Sequence, residues 1–134
     1  KHGLEKIKTI GDGFMAAAGL LHQVDDPVGR AVRCGLEMTS TLIDAHLDWE
    51  VRVGVHAGPV VAGVVGQERY QFDIWGDTVN VAARMVGMSA PGSVAATKEI
   101  FDQIASAFDG EALGELDVKG KGTIPVFGLR PRVN

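Results

Sequence analysis

The sequence has one cysteine, no long apolar run and no excess of positive charge, and each of these absences excludes a class of structure or ligand. Cys34 has no second cysteine to pair with, so an internal disulfide is excluded and a reducing, cytoplasmic setting is expected. The most apolar run, at 59–66, is too short to span a bilayer, so residues 1–134 are not expected to contact a membrane. The net charge of −4 leaves no broad basic face for nucleic acid, so a polyanionic ligand would need a few placed cations.

The composition is that of a globular protein, with 46% hydrophobic residues in 134, which is enough for one domain over residues 1–134. Alternation and helical spacing predict the order β-β-α-β-β-α-β-α-β-β. Strands are predicted at 4–10, 14–20, 51–58, 60–66, 93–97, 114–118 and 123–129, and helices from Pro27 to His46, up to Ser89, and from Thr97 to Ala107. This order predicts an α+β sandwich, in which a mostly antiparallel sheet carries helices on one face.

Polar residues mark the expected starts of the three helices. Asp25 and Asp26 precede Pro27, which is typical of an N-cap followed by proline at the first helical position. Asp77 and Thr78 are predicted to cap the second helix, and Thr97 is predicted to cap the third.

Asn80 and Arg84 stand one helical turn apart in the segment FDIWGDTVNVAARM, residues 72–85. The polar pair lies roughly 100° round from the expected core face of this helix. That face is predicted to comprise Val79, Ala82, Ala83 and Val86. The paired donors of arginine match phosphate geometry, so the pair can hold a nucleotide. A pair that simply faces solvent is the alternative.

Three charged residues stand in glycine-flanked turns. Lys119 and Lys121 lie in KGKG, which suits a triphosphate, although an ordinary exposed hairpin tip would have the same sequence. Asp12 lies between two glycines after an apolar strand, where a carboxylate can bind Mg²⁺ beside a phosphate. A turn aspartate is the alternative, and one aspartate does not make a two-metal site.

Lys8 and Asp73 form a candidate pair for reading a purine base. Lys8 stands in the strand before the Asp12 turn, and Asp73 lies just before the second helix. A lysine donor and an aspartate acceptor fit the ring nitrogen and the exocyclic amino group of adenine, whereas guanine would need the opposite pattern. The alternatives are a salt bridge between the two residues and two separate surface charges.

Taken in order, these segments resemble the catalytic domain of class III nucleotidyl cyclases. The resemblance extends over nearly the whole chain, and its third segment is highly specific for the family. The matching segments are Lys6–Asp12, Arg52–Gly66, Asp73–Met85 and Val118–Gly122. The resemblance implies the family fold, a ferredoxin-like sandwich, and an adenylate cyclase. In that reaction the ribose 3′-hydroxyl of ATP attacks the α-phosphate, pyrophosphate leaves and cyclic AMP forms.

The resemblance also assigns roles to single residues. Lys8 and Asp73 match the purine-selecting positions in their ATP version, since family members that use GTP usually carry a Glu and a Cys-like residue there. Asn80 resembles the residue that orients the ribose. Arg84 resembles the residue that stabilises the α-phosphate in the transition state.

The remaining implied contacts concern phosphates, metals and a second copy of the chain. Lys119 resembles the lysine that holds the β- and γ-phosphates, with Lys121 as its neighbour. Asp12 resembles the second of two aspartates that bind a pair of Mg²⁺ or Mn²⁺ ions. The family site lies at a dimer interface, which implies a homodimer in which Asp12 serves one site and the nucleotide-binding residues of the same chain serve the other.

One departure from the family pattern limits the expected activity. The family's first metal aspartate lies on an earlier strand that nothing in this chain matches, so the first strand and helices of the fold are expected to be missing. These residues alone are therefore expected not to cyclise ATP. The main alternative is a non-catalytic, cyclase-like half that binds nucleotide or dimerises for regulation. Lys8 and Asp73 argue against a guanylate cyclase, and a diguanylate cyclase would need an acidic, glycine-rich signature that is absent.

Overall fold

The computed structural model describes residues 4–10, 13–20, 23–44, 51–66, 71–89, 93–118 and 122–132. Within these ranges the elements follow one another as β1 (Glu5–Ile10), β2 (Gly13–Ala17), α1 (Pro27–Asp44), β3 (Val53–Val55), β4 (Val61–Val65), β5 (Gln71–Trp75), α2 (Asp77–Val86), β6 (Val94–Thr97), α3 (Lys98–Ile104), β7 (Phe108–Val118) and β8 (Gly122–Pro131). None of the helices in this part of the chain is both long and apolar enough to cross a membrane.

A four-stranded sheet in the order β3-β6-β8-β7 forms the centre of the molecule. β3 pairs with β6 in parallel, and the other two pairings are antiparallel. Two antiparallel hairpins, β1–β2 and β4–β5, pair separately from this sheet. The predicted α+β class with mostly antiparallel pairing is therefore confirmed.

Helices cover both faces of the central sheet, and not the one face that was expected. Successive residues of a strand point to opposite faces, and all four residues of β6 are buried. Val94 and Ala96 belong to a core that includes Val32 of α1 and Ile100 of α3. Ala95 belongs to a second core, which packs against α2. A central strand buried on both faces accounts for the uninterrupted apolar sequence of β6.

Strand β5 is the element that the sequence prediction missed. It pairs with β4 in a regular antiparallel register from Val61↔Trp75 to Val65↔Gln71. The sequence QFDIW is short and carries a charge at its centre, so its own pattern is weak, and the cross-strand partners of β4 make it a strand. β7 likewise begins earlier than predicted, at Phe108, and α3 ends at Ile104 and not at Ala107.

The predicted core face of α2 is wrong. The buried residues are Val81 and Met85, whereas Ala83 and Val86 are exposed and Val79 and Ala82 are only half-buried. Apolar residues occupy more than half of the circumference of this helix, so spacing alone did not identify the side that faces the sheet. Val81 and Met85 fill the space against Ala95, Leu116, Val118 and Val126.

The predicted helix caps have three different outcomes. The Gly29 amide donates to Asp26 Oδ1 at 3.1 Å, which is the expected N-cap bond of α1. Thr97 occupies the predicted N-cap position of α3, but its side chain makes no cap hydrogen bond. The N-cap of α2 is Gly76, so the prediction of Asp77 and Thr78 as caps is wrong.

Helix α2 packs directly on the backbone of β3. A Cβ atom built on Gly54 would lie 2.5 Å from the carbonyl oxygen of Ala82 and 3.1 Å from Met85 Cβ. Glycine at this position therefore lets the helix approach the strand more closely than any side chain would allow. The height of α2 above the sheet depends on this contact.

We expect Gly54→Ala to lower the free energy of unfolding by about 1–3 kcal/mol, the usual cost of overpacking. Gly87→Ala is the matched control, since Gly87 has φ −66° and a Cβ atom there would meet the Arg84 carbonyl at an ordinary 3.6 Å. The control should change the free energy by less than about 0.5 kcal/mol. Urea unfolding followed by circular dichroism measures both variants, and a wild-type midpoint for Gly54→Ala would contradict the close packing.

Candidate functional site

Lys8 and Asp73 meet as an ion pair between β1 and β5. Lys8 Nζ donates to Asp73 Oδ2 at 2.9 Å, and the side chains are 31% and 18% exposed. The other carboxylate oxygen, Oδ1, accepts the Ile74 amide at 2.8 Å. Both oxygens of the carboxylate thus have a protein donor, and its orientation is determined by the strand that carries it.

Two local features of the strands bring this pair together. The β1–β2 register shifts between Lys6 and Lys8, so one extra residue bulges out immediately before Lys8. A bulge of this kind bends the strand and redirects the side chains beside it. On β5, Asp73 lies opposite Gly63 of β4, which has no side chain to cover the carboxylate. The pair is therefore accessible at the surface.

The ion pair lowers the pKa of the Asp73 carboxyl below its ordinary value of 3.8. The largest cause is the hydrogen bond from Lys8, and the Ile74 amide and the lysine charge act in the same direction. Partial burial opposes them by disfavouring the charged form. Asp73 is consequently a carboxylate, and an acceptor, at neutral pH.

The pair retains hydrogen-bonding capacity for a ligand. An ammonium group has three donors, and the bond to Asp73 uses one of them. A carboxylate offers about four acceptor sites, and the two observed bonds leave room for a donor from outside. The pair thus presents a donor next to an acceptor. The observed ion pair was one of the alternatives for these residues, and it is compatible with reading a base edge.

Asn80 and Arg84 lie on the exposed side of α2, away from Val81 and Met85. Arg84 Nη1 donates to the carbonyl oxygen of Asp117 at 2.7 Å, at the end of β7. Arginine has five N–H groups, so a single bond leaves most of the planar fork for an anion. The contact joins the guanidinium to the strand that leads into the KGKG turn.

Both ends of α2 are hydrogen-bonded to segments that flank β3. Near the start of the helix, Thr78 Oγ1 donates to the Pro59 carbonyl at 2.8 Å. Beyond its end, Arg52 Nη1 donates to the Ser89 carbonyl at 3.1 Å. The sequence analysis missed these bonds and the Asp117 carbonyl, because a backbone acceptor carries no residue-type signal.

Asp12, Lys119 and Lys121 lie outside the described residues, so their predicted places in the site remain predictions. Within the described ranges there is no group of three or more His, Cys, Asp or Glu side chains that could hold a metal ion. Cys34 is half-buried, and burial, followed by the charge of Glu37, raises the pKa of its thiol. A raised pKa disfavours the nucleophilic thiolate.

A groove of about 430 Å³ lies elsewhere on the molecule, between α1 and the ends of β7 and β8. Its lining includes Arg33, Leu36, Phe108 and Arg132, and it includes none of the four described site residues. Of those four side chains, Asn80 and Arg84 are exposed, and Lys8 and Asp73 are half-buried.

Known sequences place these features in a family context. A family model described as the adenylate and guanylate cyclase catalytic domain matches residues 1–131. The chain is 39% identical over 138 residues to the germination-specific adenylate cyclase of Dictyostelium discoideum, a match that covers 96% of this chain and 16% of that protein. It is 37% identical over 134 residues to the receptor-type guanylate cyclase gcy-20 of Caenorhabditis elegans, covering 92% and 12%. The chain thus spans less than a fifth of either relative.

A solved structure shows the same architecture. The catalytic core of a rhodopsin-guanylyl cyclase with converted specificity, in complex with ATPαS, matches with a TM-score of 0.85 and 32% identity. The match covers 98% of this chain and 73% of that one. The fold that the sequence resemblance implied is therefore confirmed.

We expect Lys8→Met to raise the pKa of the Asp73 carboxyl toward its ordinary value of 3.8, because the variant removes the main cause of the lowering. NMR titration of the carboxyl carbon from about pH 2 to 6 measures the shift in both proteins. Because the folded pKa is the lower one, the pair stabilises the wild type fully above pH 3.8 and loses its contribution as the pH falls through the folded pKa. An unchanged pKa in Lys8→Met would contradict the assigned cause.

Proposed function

The chain belongs to the family of adenylate and guanylate cyclase catalytic domains, and on that premise we propose that it acts as an adenylate cyclase. The reaction converts ATP into 3′,5′-cyclic AMP and pyrophosphate and would serve signal transduction in the cytoplasm. Relatives with both purine specificities match the chain, so the choice of ATP depends on the residues that read the base. The observation that carries this choice is the Lys8–Asp73 pair.

The geometry of that pair supports adenine. Asp73, held as an acceptor by Ile74 and Lys8, suits the exocyclic amino group of adenine. Lys8 supplies a donor for a ring nitrogen acceptor on the same edge. Guanine presents an oxygen and a ring N–H at these places, so it would put acceptor against acceptor at Asp73. In a site enclosed by a second copy of the chain, polar groups left unpaired in this way would make the site selective.

Residues of α2 and of the KGKG turn would bind the ribose and the phosphates of ATP. Asn80 orients the ribose, so that its 3′-hydroxyl faces the α-phosphate. Arg84 contributes positive charge where negative charge develops on that phosphate as the hydroxyl attacks. Lys119, with Lys121 beside it, holds the β- and γ-phosphates that leave as pyrophosphate. The bond from Arg84 to Asp117, near these lysines in sequence, supports a shared phosphate region.

Divalent ions complete the proposed chemistry. Asp12 is the residue of this chain that we propose as a ligand, and a hard carboxylate oxygen suits Mg²⁺ or Mn²⁺. Two bound ions would lower the pKa of the 3′-hydroxyl and neutralise the charge of the leaving phosphates. The described residues contain no further acidic cluster for this purpose.

A homodimer is proposed as the active form. Val61 and Trp75 are cross-strand partners on the face of the β4–β5 hairpin that carries Asp73, and they are 56% and 43% exposed. Large apolar side chains exposed together often mark an interface. A second copy seated there would cover them and enclose the base-reading pair, with each chain contributing to both sites.

Cyclic nucleotide formation tests this function directly. Mn²⁺-ATP and Mn²⁺-GTP are supplied to the 134-residue chain and to a fusion that places the segment immediately upstream of the matched region of the Dictyostelium relative ahead of Lys1. We expect cyclic AMP from the fusion and none from the chain alone, because this chain has a counterpart, Asp12, for only one of the two metal-binding aspartates of the family. Cyclic GMP as the main product would overturn the adenylate assignment. ATP binding without turnover in both proteins would favour a regulatory half.

Arg84→Ala in the fusion identifies the site of turnover. We expect kcat to fall by roughly 10²–10³ with little change in KM, as for other groups that stabilise transition-state charge. Arg33→Ala is the matched control, because Arg33 is an exposed arginine paired with Asp26 on α1. Equal losses in kcat and nucleotide affinity for Arg84→Ala would contradict the transition-state role.

The purine assignment has a test of its own. Lys8→Glu combined with Asp73→Cys should shift the ratio of cyclic AMP to cyclic GMP toward cyclic GMP by about 10-fold or more, since each mismatched polar contact is costly. Lys6→Glu repeats the charge change of the Lys8→Glu component at an exposed position on β1 and should leave the ratio unchanged. Unaltered ATP selectivity in an active double variant would remove Lys8 and Asp73 from base recognition.

A further inference from the structure

Helix α2 begins without a side-chain cap, although its second residue, Thr78, is of a type suited to capping. Gly76 occupies the N-cap position with φ +130°, and it has no side chain to bind the first amides. Thr78, which the sequence offered as a cap, directs its hydroxyl outward to the Pro59 carbonyl at 2.8 Å. The hydroxyl therefore links the helix to the β3–β4 loop.

The loop is shaped to receive this hydroxyl. A Cβ atom on Gly58 would lie 2.6 Å from Thr78 Oγ1, so a side chain there would displace the hydroxyl. Gly58 also has φ +158°, at the edge of the region that favours glycine. The position of Pro59 against α2 thus depends on both Gly58 and Thr78.

The linked turn is the one that contains Asn80. The backbone amide of Asn80 donates to the Gly76 carbonyl at 3.1 Å, and Thr78 lies within this hydrogen-bonded turn. Thr78 therefore restrains the backbone of Asn80 from within the same turn, and Arg84 follows one turn later on the same rigid helix. Terminal turns without caps fray, so a link to a neighbouring loop has most effect at this point.

We infer that Thr78 is a positioning residue of the cyclase site, which holds Asn80 and Arg84 in register with the nucleotide through the Pro59 carbonyl. The inference rests on the proposed function, because its catalytic consequence requires that Asn80 and Arg84 contact the substrate. Its structural part, the restraint of the first turn of α2, does not depend on that function.

The test compares Thr78→Val, which keeps the shape and removes the hydroxyl, with Thr78→Ser, which keeps the hydroxyl. Thr41→Val is the matched control, since Thr41 Oγ1 also donates to a backbone carbonyl, that of Glu37, at an exposed position on α1. Hydrogen exchange of the backbone amide of Asn80 is measured by NMR in the 134-residue chain. We expect exchange about 10-fold faster in Thr78→Val, near the upper end of what one net hydrogen bond contributes, and wild-type exchange in the other two.

Kinetics in the active fusion then tests the catalytic part. Thr78→Val should lower kcat by about 10-fold with a smaller change in KM, since small misplacement of catalytic groups is costly to turnover. Thr78→Ser should restore kcat, and Thr41→Val should not change it. Wild-type exchange at Asn80 in Thr78→Val would overturn the restraint, and faster exchange with unchanged kcat would overturn the positioning role. A wild-type fusion that forms no cyclic nucleotide would instead refute the proposed function and the positioning role with it, and the exchange result would still decide the restraint.

Discussion

The contact between helix α2 and the backbone of β3 at Gly54 is the constraint on which the candidate site depends. No side chain separates the helix from the strand, so the height of α2 is determined by backbone atoms. Val81 and Met85 then determine the rotation of the helix, because both are inserted into the core beneath it. Once the height and rotation of α2 are determined, so are the positions of the exposed residues Asn80 and Arg84 relative to the sheet.

Polar contacts complete this placement at the ends of the helix. Thr78 and Arg52 donate to backbone carbonyls at opposite ends of α2, and Arg84 donates to the carbonyl of Asp117. Each donor is a side chain and each acceptor belongs to the backbone of another element. Such bonds join elements that are distant in sequence, and they add direction to a core whose apolar packing is non-directional.

The Lys8–Asp73 pair is a structural contact between two strands, and the proposed function assigns base recognition to the same atoms. The ion pair joins β1 to β5 and lowers the pKa of Asp73, which maintains an acceptor at the surface. Exposed ion pairs contribute little to stability as a rule, so the pair is of more interest for the pattern of donor and acceptor that it presents. Gly63, opposite Asp73, adds no side chain over that pattern, although the Trp75 ring lies close to this glycine.

Much of the fold could be predicted from the sequence, because amphipathic periods and turn residues are local signals. These signals placed α1 with its Asp26 cap, most of the strands and the residue types of the site. They failed at β5, whose identity depends on its pairing with β4, and on α2, where apolar residues over more than half of the circumference left the buried face undetermined. The predicted cap at Thr78 failed, and Thr97 stands at its predicted N-cap position without the cap hydrogen bond, because the sequence does not show which of several partners a hydroxyl will reach.

The sequence by itself determined which chemical groups this protein has and their order along the chain: Lys8, then Asp73, then Asn80 and Arg84 on one helix. Tertiary structure alone decided that Lys8 and Asp73 touch, that Val81 and Met85 face the core, and that Arg84 meets the end of β7. The physical reason is that periodicity and propensity act between neighbours in the chain. Contacts between distant residues are selected only when the packed core brings their backbones together.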